Sequence, residues 1–130
     1  MMMVDSSAVL AILQREPELE PFLAAIGAAE VRLISAVSVL ECHLISLSRR
    51  RERGRRELDA FLAKTGLEIV AFDADQLAVA RDAFAKFGKG RHPARLNFGD
   101  CCAYALAKAR GLPLLFKGDD FGRTDVGVAG

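Results

Sequence analysis

Asp5 follows the apolar run MMMV, Glu41 lies inside VSVLECHLI, Asp100 stands in LNFGDCCAYALA, and Asp119 and Asp120 sit in LLFKGDDF. Carboxylates repel one another, so these acidic stations brought to one place would need a cation. A divalent ion held by oxygen ligands points to phosphate chemistry rather than redox or acyl transfer. Taken singly, each acid also has an ordinary use. Asp5 suits a strand end that organises the turn into a helix, and Asp100, following Gly99, suits a helix N-cap that contributes about 1 kcal/mol. Glu41 is harder to account for structurally, because Leu40 and Cys42 flank it and an unpaired carboxylate is costly to bury.

Other chemistries find less support. His43 and His92 are the only imidazoles. His43 lies on a largely apolar helical stretch and reads as a hydrogen-bonded packing residue, and His92 in GRHPAR reads as a substrate-phosphate contact rather than a base. Ser6 and Ser7 lack a nucleophile-elbow context, and neither histidine has a recognisable partner for a serine or cysteine triad. The phosphate-cradling motifs GxGxxG and GxxxxGKS/T are absent, which argues against a nucleotide cofactor.

The acids must be positioned by the elements around them. Met2 to Val4 reads as a strand, Ser6 and Ser7 as N-caps of a helix over Ala8 to Gln14, and PELEPFLAAIGAAE as a second helix with Pro21 near its start or splitting it. VRLIS is the next strand, followed by a helix capped by Ser35 or Ser38 that carries Val39, Leu40, Leu44, Ile45 and Leu47. Gly54 is predicted to break it into a helical hairpin with the arginines of SRRRERGRR at the tip. LEIVAF reads as a strand, and Asp73 or Asp75 opens a helix that ends at Gly88. GKGRHPARLNFG is a positive loop expected to be mobile, CCAYALAKARG a helix, and LPLLF a strand, with a short edge strand after the turn at Thr124 and Asp125. Alternating strands and helices imply a mainly parallel sheet in a three-layer α/β/α sandwich. Ligands of such sheets bind beyond the carboxyl ends of the strands, where Asp5 and Asp119/Asp120 fall.

With 130 residues the chain is expected to form a single domain, residues 1–130, that buries about two-thirds of its unfolded surface. Three cysteines, two of them adjacent, fit neither a disulfide framework nor a CxxC motif and read as free, mostly buried thiols of a reducing compartment. No apolar run approaches the roughly 18 residues of a membrane span and no signal peptide is evident, so a cytoplasmic, non-membrane protein is expected. The basic run SRRRERGRR can track a phosphate backbone, grip an acidic partner or simply be solvated. An apolar content of 52% with mean hydropathy +0.20 is more than one small core readily hides, so a helix face is expected to pair in a homodimer.

The opening VDSSAVLAIL, the helix-borne glutamate of SVLECHLI and the segment KGRHPARLNFGDCCAYALAKARGLPLLFKGDDFGRTDV together resemble PIN-domain ribonucleases, in particular the VapC-type toxins of toxin–antitoxin pairs. The resemblance covers essentially the whole chain and is most specific from Gly90 to Val126. It implies a PIN-like fold and a cluster of acids that holds Mg2+, with Mn2+ as a substitute, for cutting RNA. Position by position, Asp5 and Asp100 would be the principal metal ligands and Glu41 the third acid, with Ser7 as the hydroxyl that supports the first aspartate. Gly118 stands where many PIN domains carry an acid or asparagine, so the fourth acid is Asp120, before Phe121, with Asp119 as the alternative.

Under this resemblance the chemistry is hydrolysis of RNA phosphodiesters by metal-activated water, and Lys89, Arg91 and Arg95, with Lys117 as a further candidate, would contact RNA phosphates. The partner implied is a cognate, VapB-like antitoxin. It would send an arginine into the acidic cluster and lay an apolar helix between the Pro17 to Glu30 segment and the helix bearing Glu41. Two alternatives remain at this level. One is a phosphohydrolase that forms an aspartyl-phosphate on Asp5, although Ser7 stands where a second aspartate is wanted. The other is a catalytically silent module that binds RNA or a protein through SRRRERGRR.

Overall fold

A computed structural model describes residues 1–130. Strand β1 (Met2–Val4) leads into helix α1 (Ser6–Leu13), and α2 (Leu19–Ala28) follows with Pro21 in its first turn. β2 (Arg32–Ser35) feeds the long α3 (Ala36–Thr65), then come β3 (Glu68–Val70), α4 (Ala74–Phe87), α5 (Phe98–Arg110) and β4 (Leu114–Leu115). A single 3-10 turn, Phe121–Arg123, follows.

All four strands are parallel, in the order β3-β2-β1-β4. From β1 the chain steps outward through β2 to β3, then crosses back to place β4 on the other side of β1. Side chains alternate along each strand: Met2, Val4, Ile34 and Leu115 enter one core with α1, α2 and α3, while Met3, Leu33 and Leu114 enter a second core with α4 and α5. The expected three-layer α/β/α sandwich is therefore what the chain adopts. Its topological switch point, the usual binding crevice of an open α/β sheet, lies at the carboxyl ends of β1 and β4.

Four local expectations are corrected. The cap of α1 is Asp5, whose carboxylate accepts the Ser7 amide, and not Ser6 or Ser7, which lie inside the helix. The cap of α5 is Asn97; Asp100 is the third helical residue and completes a reciprocal capping box with it. The break in α3 falls at Arg51 (φ 55, ψ −142), not at Gly54, which is buried in the second leg. The expected edge strand after Asp125 reduces to one bridge between Leu114 and Val128.

The loop from Gly88 to Asn97 is pinned rather than mobile. Ala94 and Leu96 are fully buried, and Lys89 N donates to Leu96 O while Leu96 N donates to Phe87 O. His92 braces this loop: its Nδ1 accepts the Ala94 amide and its ring meets Phe87 edge-on. All three cysteines are free and buried, as expected. No helix is long and apolar enough to cross a membrane.

Candidate active site

Asp5 is the centre of the switch-point crevice. It stands at the end of β1, where its amide donates to Leu115 O of β4, and only 2% of it is exposed. One carboxylate oxygen accepts the Ser7 amide at 3.0 Å. The other, Oδ1, is buried without a hydrogen-bond partner, an expensive condition for an ionised oxygen unless something outside the chain meets it. Burial raises the Asp5 pKa, against hydrogen bonding from Ser7 and the Ser6 amide.

Glu41 projects from the first leg of α3. Ser6 Oγ donates to its Oε1 at 3.3 Å, and its carboxylate fits only because residue 99 lacks a side chain: a β-carbon on Gly99 would lie 1.9 Å from Oε2. Burial pushes the Glu41 carboxyl up to about 7, helped by the charges of Asp5 and Asp100 and opposed by the Ser6 hydroxyl. Asp100, half-buried in the first turn of α5, is pushed up to about 6, chiefly by burial, with the charges of Asp5 and Asp120 adding to it and the Asn97 amide opposing. Asp5, Glu41, Asp100 and Asp120 thus lie near enough at the switch point for their charges to act on one another. Asp119 and Asp120 are both exposed in the turn after β4.

The remaining predicted residues divide. Ser7 ties the crevice together: its Oγ accepts the Lys117 amide at 3.0 Å, joining the first turn of α1 to the end of β4. Lys89, Arg91 and Arg95 are exposed on the pinned loop that precedes α5, with Arg91 over the Phe84 ring. Lys117 is spoken for by Glu16 and Glu18 of the α1–α2 connection, so it is not a free phosphate contact. Three site residues escaped the sequence reading: Ser6, Asn97 and Gly99. Asn97 was findable, since N-x-x-D before an apolar run is a capping-box signature.

A divalent metal fits this donor set in kind. The ligating atoms available are all carboxylate oxygens, which suit Mg2+ or Mn2+, and the orphaned Oδ1 of Asp5 lies among mutually repelling acids. No three histidine, cysteine or carboxylate side chains stand in chelating geometry at once.

Fold and crevice define a doubly wound α/β protein whose switch point is lined with carboxylates. Residues 2–127 match the family model of the PIN domain. The chain is 50% identical over 125 residues to a VapC ribonuclease of Mycobacterium bovis, covering 96% of this chain and 95% of that one. It is equally similar to the ribonuclease VapC of Mycolicibacterium smegmatis, with 96% and 97% covered. Among solved structures, the sarcin-ricin loop cleaving toxin VapC20 of Mycobacterium tuberculosis superposes with a TM-score of 0.78 at 17% identity, covering 97% of this chain and 96% of that one. VapBC2 of Rickettsia felis, solved with a DNA fragment of its promoter, gives 0.77 at 18% identity, with 98% and 95% covered. The chain belongs to the PIN-domain family and, within it, to the VapC ribonucleases, as its motifs had indicated.

Proposed function

We propose that this protein is a Mg2+-dependent endoribonuclease and the toxin of a toxin–antitoxin pair. The observation that carries the reading is the buried, unpartnered Oδ1 of Asp5 at the switch point, with the charge of Asp5 raising the carboxyls of Glu41 and Asp100. Asp5, Asp100 and Glu41 would hold the ion, directly or through water, with Asp120 at the outer edge. Bound there, Mg2+ or Mn2+ supplies Lewis acidity toward water and the phosphoryl group.

The chain's own residues prepare that site. The Ser7 amide and the Asn97 amide each fix one carboxylate, of Asp5 and Asp100 respectively, and Ser6 steers Glu41. Fixed acceptors need little reorganisation when the ion and substrate arrive. Lys89, Arg91 and Arg95 would take RNA phosphates beside the cluster, positioning the strand without reading its sequence.

The relatives' names, ribonucleases and toxin–antitoxin complexes, support an RNA substrate and a VapB-like antitoxin as partners; a homodimer formed through an unpaired helix face is proposed in addition. Leu77, Phe84 and Phe98 are exposed along an apolar groove between α4 and α5, which gives such a face a place.

Incubating the purified protein with bulk RNA in Mg2+, in Mn2+ and in EDTA tests the reading, with Asp5→Asn as control. Cleavage in both metals, none in EDTA and none by the variant is expected. Cleavage that survives EDTA or Asp5→Asn removes the metal site, and no cleavage in either metal removes the enzyme.

A further inference from the structure

The arginine bend of α3 is not accounted for by the acidic crevice. Six arginines and two glutamates occupy Arg49 to Glu57. Arg50 pairs with Glu57 at 2.7 Å. The side chains of Arg49, Arg51, Arg53, Arg55 and Arg56 are exposed and make no hydrogen bond or ion pair within the chain. The density is what sets the bend apart, since the other unpaired basic side chains of the chain are dispersed over its surface and its loops. Five unpaired cations within eight residues repel one another, and that repulsion is relieved by an outside polyanion.

The backbone points the same way. Arg51 holds φ 55 and ψ −142, a region that glycine enters freely and other residues occupy at a cost of about 1–3 kcal/mol. The Arg51 side chain, exposed and unpartnered, contributes nothing within the fold toward that cost. Gly54, meanwhile, is kept where the second leg crosses the Ser46 carbonyl. Residues eight apart on a straight helix are about 12 Å apart, so this contact shows how sharply the chain folds back. The bend therefore displays its arginines from a fixed corner and not from a fraying helix end.

The corner is joined to the crevice by a continuous face. The start of α1 meets the second turn of α3 at the Ser6–Glu41 contact, and Leu13 and Gln14 at the far end of α1 line one hollow with Arg49 and Arg50. Arg49 is eight residues, about 12 Å, along the helix from Glu41. A single divalent ion leaves four clustered carboxylates net negative, so a polyanion seated at the crevice must be held by basic surface on its flanks. The loop of Lys89, Arg91 and Arg95 supplies one flank. We infer that the arginine bend supplies the other: a second phosphate-binding subsite that grips the RNA strand where it runs from the crevice along α1 and α3. Arginine suits it, since its planar fork makes paired hydrogen bonds to phosphate oxygens.

This inference rests on the ribonuclease reading, and its test is separate from it. Two proteins, both carrying Asp5→Asn so that RNA stays intact, are compared by fluorescence anisotropy. One is otherwise unchanged and the other also carries Arg49→Gln, Arg53→Gln, Arg55→Gln and Arg56→Gln. The probes are a long RNA hairpin and an oligonucleotide too short to reach from the crevice to the bend. Loss of four phosphate contacts should weaken the hairpin at least about tenfold at physiological salt and lower the salt slope by about 3, with a much smaller loss on the short probe. The matching fourfold Arg→Lys variant should recover most of the hairpin affinity, which a merely misfolded protein would not do.

Equal affinity and equal slope in the two proteins would overturn the subsite. So would unchanged hairpin binding together with loss of the co-expressed antitoxin, which would give the bend to an acidic protein partner. Failure of the unmutated protein to cleave RNA would strike the ribonuclease reading alone, because the binding comparison does not depend on cleavage.

Discussion

The carboxylate of Glu41, on α3, rests against the α-carbon of Gly99, on α5, so that the helices from the two faces of the sheet meet over the crevice. Gly99→Ala must displace that carboxylate. The atoms struck belong to the free end of a flexible side chain, which can swing aside without moving backbone. RNA cleavage should fall by about 10–100-fold, as expected for a group misplaced by an ångström or so, while the thermal midpoint changes little. Wild-type cleavage rates in the alanine variant would show that the position of Glu41 is immaterial.

Stability of the metal-free protein should rise as pH falls from about 7 to about 4.5. Burial, then the charge of Asp5, pushes Glu41 up to about 7 from its ordinary 4.5, and Asp100 and Asp5 are raised as well. A carboxyl whose native pKa exceeds its unfolded value binds more protons when folded, so the free energy of unfolding declines as pH climbs through the interval between them. Because Glu41 is only half-buried, screening trims its share to on the order of 1–2 kcal/mol. Asp125, held low by the Tyr104 hydroxyl, has the opposite sign and acts only below about pH 4. Thermal melts in EDTA check this, and Glu41→Gln should flatten the dependence. A midpoint that climbs between about pH 5 and 7 would contradict it.

Asp5 and Asp100 were legible in the sequence because they fall at the start of an element, and element starts are marked by apolar runs and capping residues; Glu41, in the second turn of α3, stood out as a carboxylate in an apolar stretch. MMMV before DSSAVLAIL can hardly be anything but a strand feeding a helix. Which residue caps was not legible: DSS and NFGD each offer more than one competent side chain, and a shift of one to three residues, decided by tertiary packing, separates them. The same limit moved the break in α3. Gly54 carries the usual signal for a helix end, yet it serves a close crossing, and the reversal falls on an arginine that no propensity scale would choose. Strand order was equally hidden, since β4 contributes only two ladder residues and nothing in them names β1 as neighbour.

Asp120 and Asp119 should behave unequally. The charge of Asp120 helps raise Asp100, so it acts on the cluster, and Gly118, at φ 104, makes the turn before it. Asp120→Ala should lose at least about tenfold more RNA cleavage than Asp119→Ala at limiting Mg2+, with the gap narrowing as Mg2+ is raised. Equal losses across a Mg2+ titration would make both acids bystanders to the metal.

The bend of α3 offers a pair of substitutions with opposite signs. In Gly54→Ala the new β-carbon would lie 2.2 Å from the Ser46 carbonyl oxygen and 2.8 Å from its carbon. Both are backbone atoms of the facing leg and cannot rotate away, unlike the Glu41 carboxylate beside Gly99. The bend must open, at a cost of about 1–3 kcal/mol. Arg51→Gly relieves a strain of about 1–3 kcal/mol while adding about 0.5–1 kcal/mol of unfolded-chain entropy, so its net effect is stabilising. Denaturant melts of the two variants should shift the midpoint down for Gly54→Ala and up for Arg51→Gly. A midpoint lowered by Arg51→Gly would mean that the arginine side chain repays its own strain inside the fold, and the case for an outside partner at the bend would weaken with it.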